Sequence, residues 1–357
     1  MPVTSPRLMP TNSNQRNMPE TAAIGNARGG PLAISLGDPA GIGAEVVLKA
    51  LAGWPPQRPA PVLVGCRRTL EATHRQLRER CETPLADPAD LEVLDRPLER
   101  PVVPGGADAA CGAASFDWLT QATRLVMSGR CRALVTAPIA KHTWHAAGHH
   151  YPGQTERLAE LAGVAEATML FTARSPRSGW RLNTMLATTH IPLAAVPAAL
   201  DADRLQRRLT TLEAFCRRFS ERPRLVVAGL NPHAGEQGQL GREETERLIP
   251  AMETWQRQHP QAELIGPLPP DTCWLEAARA WNGSGSGEAA DGFLALYHDQ
   301  GLIPVKLLAF DQAVNTSLGL PFLRTSPDHG TGFDIAGQGV ARADSMRAAI
   351  EAALELG

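Results

Sequence analysis

Short apolar runs bounded by glycine, proline or polar residues alternate along the chain with longer segments of helical spacing. Leu32–Leu36 is typical of a buried strand, Gly37–Gly43 follows as a turn, and Ala44–Leu51 has the pattern of a helix. Further strands are predicted at Val62–Val64, Ala133–Thr136, Thr168–Phe171, Thr184–Thr188, Leu225–Ala228, Glu263–Ile265 and Phe293–Tyr297. Further helices are predicted at Arg68–Arg80, Ala113–Met127, Asp203–Phe219, Glu243–Gln256, Cys273–Trp281 and Arg342–Leu356. This alternation indicates an α/β fold with substantial parallel sheet.

Two segments lack the alternating pattern of strands and helices, one at the N-terminus and one between predicted elements. Residues 1–30 are rich in Pro, Asn, Ser, Thr and Arg and have no apolar core, which predicts a disordered tail rather than a secretory signal, with a transit peptide as the alternative. A proline-rich connector is predicted from Pro84 to Pro104. The full length of 357 residues is enough for about two domain-sized units.

The charge balance excludes several classes of partner. With 35 basic and 37 acidic side chains the formal net charge is −2, so we expect no binding to nucleic acid or to an anionic membrane surface. No apolar stretch reaches the roughly 20 residues that a membrane span needs. None of the six cysteines forms a C-x-x-C pair, which favours reduced, buried thiols in a cytoplasmic protein over a zinc knuckle.

Three histidines, His190, His233 and His298, each follow a predicted strand in a polar setting. Imidazole is the commonest ligand for transition metals, and three protein ligands with an open position are typical of catalytic zinc. A metal there would lower the pKa of a bound alcohol and ease hydride departure from its carbon. Spacing alone leaves the alternative open that these are unrelated loop histidines that cap helices or form hydrogen bonds.

Three polar residues follow in apolar surroundings: Lys306, Asn315 and Arg324. Such groups are costly to bury without anionic partners, so a phosphorylated or carboxylated substrate would suit them, with surface salt bridges as the alternative. Gly37–Gly43 lacks the G-x-G-x-x-G pattern because position 46 is Val46; it could hold an anion or serve only as a packing turn.

These strings together resemble the 4-hydroxythreonine-4-phosphate dehydrogenase family of vitamin B6 biosynthesis, over about residues 31–357. The matching segments are Gly37–Gly43, Ala137–Lys141, Thr188–Leu193, Gly229–Glu236, Gly266–Thr272, Tyr297–Gly301 and Leu318–Thr331. The resemblance implies NAD-dependent oxidation of the C3 hydroxyl of 4-phosphooxy-L-threonine, followed by loss of CO2 to give 3-amino-2-oxopropyl phosphate. It also implies a fold like that of isocitrate and isopropylmalate dehydrogenases, with residues 31–357 forming two interleaved α/β subdomains around a cleft.

The resemblance assigns roles to individual residues. The metal ligands implied are His190, His233 and His298, with zinc expected foremost and magnesium or cobalt as alternatives. The substrate contacts implied are Thr155, Lys306, Asn315, Arg324 and Asp271, and Lys306 and Asp299 are the candidates for proton relay. The cofactor residues implied are His329, Gly330, Thr331 and Asp334. The active site is expected at a homodimer interface, with metal ligands drawn from both subunits.

One position departs from the family pattern. Members commonly carry His-Thr-Glu where this chain has Gln154-Thr155-Glu156, and a glutamine cannot carry a positive charge. This leaves room for a related dehydrogenase acting on a phosphorylated sugar acid or an aromatic cis-dihydrodiol carboxylate. A non-catalytic phosphometabolite-binding or zinc-binding protein is the third hypothesis. The preference between NAD and NADP stays open.

Overall fold

The computed structural model describes residues 29–285 and 289–357, so the predicted tail lies outside the described residues except for Gly29 and Gly30. The strands are β1 (Leu32–Ser35), β2 (Val62–Gly65), β3 (Glu92–Asp95), β4 (Ala133–Thr136), β5 (Thr168–Arg174), β6 (Arg181–Leu186), β7 (Arg224–Ala228), β8 (Glu263–Leu268), β9 (Gly292–Ala295), β10 (Val314–Leu318) and β11 (Leu323–Pro327). The helices are α1 (Gly43–Ala50), α2 (Arg67–Arg78), α3 (Ala109–Met127), α4 (Lys141–Ala146), α5 (Gln154–Ala162), α6 (Val196–Ala199), α7 (Ala202–Cys216), α8 (Ile249–Gln258), α9 (Leu275–Asn282), α10 (His298–Ala309) and α11 (Asp344–Leu356).

Every strand and helix that the apolar pattern predicts is present, with ends shifted by a few residues. The prediction of a proline-rich connector is corrected by the structure. The half-buried strand β3 lies inside this segment, between Pro88 and Pro97. The pattern also missed β10 and β11. Their buried side chains include Ser317, Arg324 and Ser326, so these strands lack the apolar run that identifies the others.

The sheet has the order β3-β2-β1-β4-β11-β10-β5-β6-β9-β7-β8. The strands from β3 to β11 are parallel to one another, and so are the strands from β6 to β8. Between these groups, β10 is antiparallel to both β11 and β5, and β5 is antiparallel to β6. The chain completes the second group before it returns to the first through β10 and β11. The division into two subdomains stays a prediction.

Helices cover both faces of the sheet. Val226 and Phe293 pack into a cluster with α9 and α10, whereas their neighbours Val227 and Leu294 pack into a cluster with α7 and α8. Burial on both faces explains why β7 and β9 are almost continuously apolar. Each fully buried valine or phenylalanine contributes about 1.5–3 kcal/mol relative to an exposed one.

Two further findings concern the cysteines and the apolar length of the helices. All six cysteines are free, and five of them are buried. No helix in residues 29–285 or 289–357 combines the length and apolar character needed to cross a membrane.

Candidate active site

A cavity of about 430 Å³ opens beside β10 and β11, where the loops that follow β4 and β6 approach them. Six of the residues predicted from the sequence line it, namely Thr155, His190, Asn315, Arg324, His329 and Gly330. They come from five separate parts of the chain. The strands that the apolar pattern missed therefore form a wall of the candidate site.

Arg324 is the most unusual group in this wall. Its side chain is buried, and the guanidinium donates to Thr136 Oγ1 from Nε at 3.0 Å and Nη2 at 2.7 Å, and to Ser317 Oγ at 3.2 Å. No carboxylate within the described part of the chain forms an ion pair with it. Burial lowers the pKa of Arg324 to about 10, so it stays positively charged near neutral pH. Its hydrogen-bond acceptors are hydroxyls, and the charge of Glu156 in the same cavity wall partly offsets the effect of burial on the pKa of Arg324. A buried cation with no carboxylate bonded to it is suited to binding an anion.

The first turn of α5 faces the same cavity through Gly153, Gln154 and Thr155. No side chain caps this helix, so its first backbone N–H groups are available to a ligand. Gln154 donates from Nε2 to the backbone oxygen of Ala137 at 3.2 Å, which leaves its buried Oε1 without a donor. Asn315 Oδ1 is also buried and has no donor. The cavity thus combines anion-binding groups with two amide oxygens that require hydrogen-bond donors.

Lys306 is close to the cavity but does not line it directly. Its ammonium forms an ion pair with the carboxylate of Asp328 and lies 3.4 Å from the backbone oxygen of that residue. Asp328 itself lines the cavity and links Lys306 to it.

His190 and His298 lie next to each other at the ends of β6 and β9. Their ring centroids are 5.6 Å apart. His298 Nδ1 is 2.7 Å from Asp299 Oδ1, so this carboxylate orients the ring and leaves Nε2 for another partner. Burial, together with the charges of Lys141 and His298, lowers the pKa of His190. Both features suit imidazoles that bind a metal in the neutral form.

His233 lies in an exposed loop after β7. Residues His233–Gln237 all have positive φ, an uninterrupted left-handed run that includes four non-glycine residues. Residues 29–285 and 289–357 contain no group of three or more His, Cys, Asp or Glu side chains placed to hold a metal ion. A single chain therefore pairs His190 with His298 without completing a three-histidine site, and the three-ligand assignment stays a prediction.

Three other predicted residues are not in the cavity wall. Asp271 is exposed in the turn before α9, and Asp334 is exposed in the loop after β11. Thr331 packs against the glycine-rich turn, where its backbone oxygen accepts from the N–H of Ile42 at 2.9 Å. Their assigned roles as substrate or cofactor contacts stay predictions.

The glycine-rich turn Gly37–Gly43 is held by packing. A Cβ atom at Gly37 would lie 2.3 Å from the backbone oxygen of Pro138, and one at Gly43 would lie 2.1 Å from that of Leu36. These contacts favour the packing interpretation over an anion-binding role for this turn.

Seven polar residues of the cavity wall were not among the predicted site residues: Thr136, Lys141, Gln154, Glu156, Thr189, Ser326 and Asp328. The position of Thr136 at the end of a predicted strand was a usable signal, and so was Lys141 a few residues later. Ser326 and Asp328 lie in the matching segment Leu318–Thr331, and Gln154 and Glu156 flank Thr155, so these segments were usable signals as well.

Comparison with known proteins places this arrangement in a family. Residues 57–353 match the family described as pyridoxal phosphate biosynthetic protein PdxA. The chain belongs to the PdxA family. It is 68% identical over 327 residues to a 4-hydroxythreonine-4-phosphate dehydrogenase of Synechococcus sp. (strain RCC307), covering 91% of this chain and 99% of the relative.

Other similarities show how wide the PdxA-like group is. The chain is 37% identical to a D-threonate 4-phosphate dehydrogenase of Pectobacterium atrosepticum, over 91% of this chain and 98% of that protein. A crystal structure of 4-hydroxythreonine-4-phosphate dehydrogenase from Klebsiella pneumoniae matches with a TM-score of 0.77 and 38% identity, covering 93% of this chain and 99% of the other. Isocitrate dehydrogenase from Methylococcus capsulatus shares the fold at a TM-score of 0.50 and 14% identity, over 91% and 85% of the two chains. The predicted fold class is confirmed.

Proposed function

We propose that this chain is an NAD-dependent 4-hydroxythreonine-4-phosphate dehydrogenase of pyridoxal phosphate biosynthesis. The observation that supports this most directly is the buried, charged Arg324 without a carboxylate partner, in a cavity that also contains His190 and the uncapped start of α5. A phosphorylated amino acid supplies both the anions and the donors that this cavity requires. The relatives described above carry the same activity in their names.

Each anionic end of such a substrate has a suitable partner. Arg324 can bind an oxyanion with its guanidinium, and the N–H groups at the start of α5, with Thr155, can bind another. The orphan oxygens of Gln154 and Asn315 would accept hydrogen bonds from the amino or hydroxyl groups of the substrate.

The residues around His190 fit the divalent metal that the family implies. His190, with its lowered pKa, and His298, oriented by Asp299, would be two ligands, and His233 would be the third, contributed across a subunit interface. Imidazole ligands favour zinc or cobalt, and magnesium, which prefers oxygen ligands, is the weaker alternative. When bound, such an ion supplies Lewis-acid chemistry to the substrate hydroxyl.

The remaining residues bind the cofactor and handle the proton. His329 and Gly330 line the cavity, and we propose that NAD lies against them and the following Thr331 and Asp334. Because Asp299 is hydrogen-bonded to His298, we assign the proton of the substrate hydroxyl to the Lys306–Asp328 pair. When bound, NAD⁺ would accept the hydride from C3, and the 3-oxo acid formed would lose CO2 and take up a proton to give 3-amino-2-oxopropyl phosphate.

A substrate panel tests the proposed activity. We expect NADH formation, followed by absorbance at the nicotinamide band, to be fastest with 4-phosphooxy-L-threonine and negligible with unphosphorylated 4-hydroxy-L-threonine. CO2 release should match the NADH formed. If no phosphorylated hydroxy acid in the panel reduces NAD, the proposed activity is wrong.

A phosphorylated sugar acid is the second candidate substrate. Gln154 and the 37% identical D-threonate 4-phosphate relative favour it. Faster turnover of D-threonate 4-phosphate than of the threonine phosphate in the same panel would support this candidate. Faster turnover of an aromatic cis-dihydrodiol carboxylate would instead support a dehydrogenase of that substrate class.

We also propose that the enzyme is a homodimer in which α10 lies at the interface. Ile303, Leu307 and Phe310 are large apolar residues of α10 and its C-terminal end that are 59%, 81% and 67% exposed, at spacings that place them on one helical face. Because α10 begins with His298, a second copy on this face would pack against the helix that carries one of the proposed metal ligands. Such an exposed apolar patch is typical of an interface between subunits.

Replacing Leu307 with aspartate should therefore shift the enzyme from dimer to monomer. A charge in an apolar interface leaves an uncompensated desolvation cost, and we expect the dimer dissociation constant to rise by about 100-fold or more. Sedimentation velocity over a concentration series measures this. Val103→Asp is the control, because Val103 is 70% exposed and lines a cavity formed by residues between Pro97 and Ala114, none of them from α10. A dimer that L307D leaves unchanged would contradict the proposed interface.

A further inference from the structure

Buried polar side chains link the three loops that carry the histidines. Thr188, two residues before His190, donates from Oγ1 to the backbone oxygen of Leu296 at 2.7 Å. Leu296 lies two residues before His298, so this bond joins the loop after β6 to the loop after β9. The Thr188 side chain is 2% exposed, which keeps water away from the bond.

Gln300 continues this chain of hydrogen bonds. Its Oε1 accepts from the N–H of Leu296 at 2.7 Å, and its Nε2 donates to the backbone oxygen of Gly229 at 2.7 Å. Gly229 begins the loop after β7 that leads to His233. A single amide, 7% exposed, therefore bridges the loops of His298 and His233 and satisfies one backbone group in each.

Glu244 binds the residues that lead into the His233 loop. Its fully buried carboxylate accepts from the N–H groups of Leu230 and Asn231 at 2.8 and 2.7 Å, and from Asn231 Nδ2 at 2.9 Å. The left-handed run that begins at His233 costs roughly 1–2 kcal/mol per non-glycine residue, so it needs such external support. Gln300 binds the oxygen of Gly229 and Glu244 binds the N–H of Leu230, so the two side chains hold the same peptide unit at the start of the loop.

We propose that Gln300 is a positioning residue that sets the loop of His233 relative to the loops of His298 and His190, and that metal affinity depends on this clamp. The inference rests on the proposed function, in which the three histidines bind the metal. In a dimer with shared ligands, each chain would contribute His233 to the site of its partner. The clamp would then set the position of that His233 relative to the His190–His298 pair of the same chain.

The test is a cobalt titration of full-length enzyme freed of metal with a chelator. Gln300→Met keeps the volume of the side chain and removes both hydrogen bonds. We expect the dissociation constant for Co²⁺ to rise 10- to 100-fold, the usual effect of losing a residue that orients metal ligands, and the visible absorption spectrum of bound Co²⁺ to change. Neither readout depends on turnover.

Gln256→Met is the matched control. Gln256 forms the same kind of bridge, donating to the backbone oxygens of His259 and Ala262 at 3.0 and 2.9 Å and accepting from the N–H of Leu264 at 2.8 Å. The Q256M variant should lose about as much free energy of unfolding as Q300M, and its Co²⁺ affinity and spectrum should stay unchanged. Equal Co²⁺ affinities and spectra in wild type and Q300M would overturn the proposal, as would equal losses in Q300M and Q256M.

Gln300→Glu provides a second variant if Q300M does not fold. It keeps an acceptor for the Leu296 N–H and places a carboxylate oxygen against the oxygen of Gly229, so it breaks only the bond to the His233 loop. We expect the same loss of Co²⁺ affinity, and an unchanged affinity would overturn the clamp. A wild-type enzyme that binds no Co²⁺ at all would instead overturn the metal assignment in the proposed function, and the clamp with it.

Discussion

Replacing Arg324 with methionine is expected to lower kcat/KM for 4-phosphooxy-L-threonine by about 10²- to 10³-fold, mainly through a higher KM. The guanidinium is buried, and its partners within the described residues are hydroxyls of Thr136 and Ser317. An anionic substrate would be its counterion, and losing one partner of such a buried charge pair costs about 2–5 kcal/mol. Steady-state NADH formation over a range of substrate concentrations measures the effect.

The stability of this variant separates substrate binding from a structural role. The charge removed has no carboxylate partner, so its desolvation cost offsets the lost hydrogen bonds, and we expect the free energy of unfolding to change by at most about 1–2 kcal/mol. Arg324→Lys keeps the charge without the planar fork and should lose about tenfold in kcat/KM.

Arg208→Met is the matched control for Arg324→Met. Arg208 is also a buried arginine, but it forms an ion pair with Glu166. R208M should lose stability and keep its KM. An R324M enzyme with unchanged KM and lowered stability would show that Arg324 has only a structural role.

Complete removal of divalent metal is expected to reduce kcat by about 10³-fold or more. The Lewis acid contributes several kcal/mol of charge stabilisation, and each 1.36 kcal/mol corresponds to a factor of ten in rate. NADH formation is measured after chelation and dialysis, with metal content checked by atomic absorption. Added Zn²⁺ or Co²⁺ should restore activity.

His190→Ala and His298→Ala provide the matching variants for the metal experiment. Both histidines follow strands of the same parallel group, and their ring centroids are 5.6 Å apart, so each loss should weaken metal binding. His74→Ala is the control, because His74 lies on α2, away from the cavity wall. Full activity in enzyme shown to be free of metal would contradict the role assigned to the ion.

The predictable part of the fold is the part buried on both faces of the sheet. β7 and β9 are apolar at successive positions because Val226 and Val227, or Phe293 and Leu294, pack into different clusters. β10 and β11 were missed for the opposite reason. Their side chains Asn315, Ser317 and Arg324 line or support the cavity, so the residues that form the site remove the apolar signal of the strands that carry them.

The same contrast applies to the site residues. His190, Arg324, His329 and Gly330 were selected from matching segments, Thr155 and Asn315 were selected outside them, and the fold brings all six to one cavity. Asp271, Thr331 and Asp334 belong to equally specific motifs but lie outside its wall. A motif predicts which loop carries a functional residue. It does not predict how close that loop lies to the cavity, because this distance depends on strands elsewhere in the chain.

By itself the sequence determined the family, the α/β class and most elements, because apolar periodicity and motif order are local properties of the chain. Only the tertiary structure decided which polar groups meet. Arg324 donates to the hydroxyls of Thr136 and Ser317, His190 lies beside His298, and Gln300 joins two histidine loops. These contacts form because strands distant along the chain lie side by side in the sheet. Hydrogen bonds between such strands depend on their order and direction, which no local pattern contains.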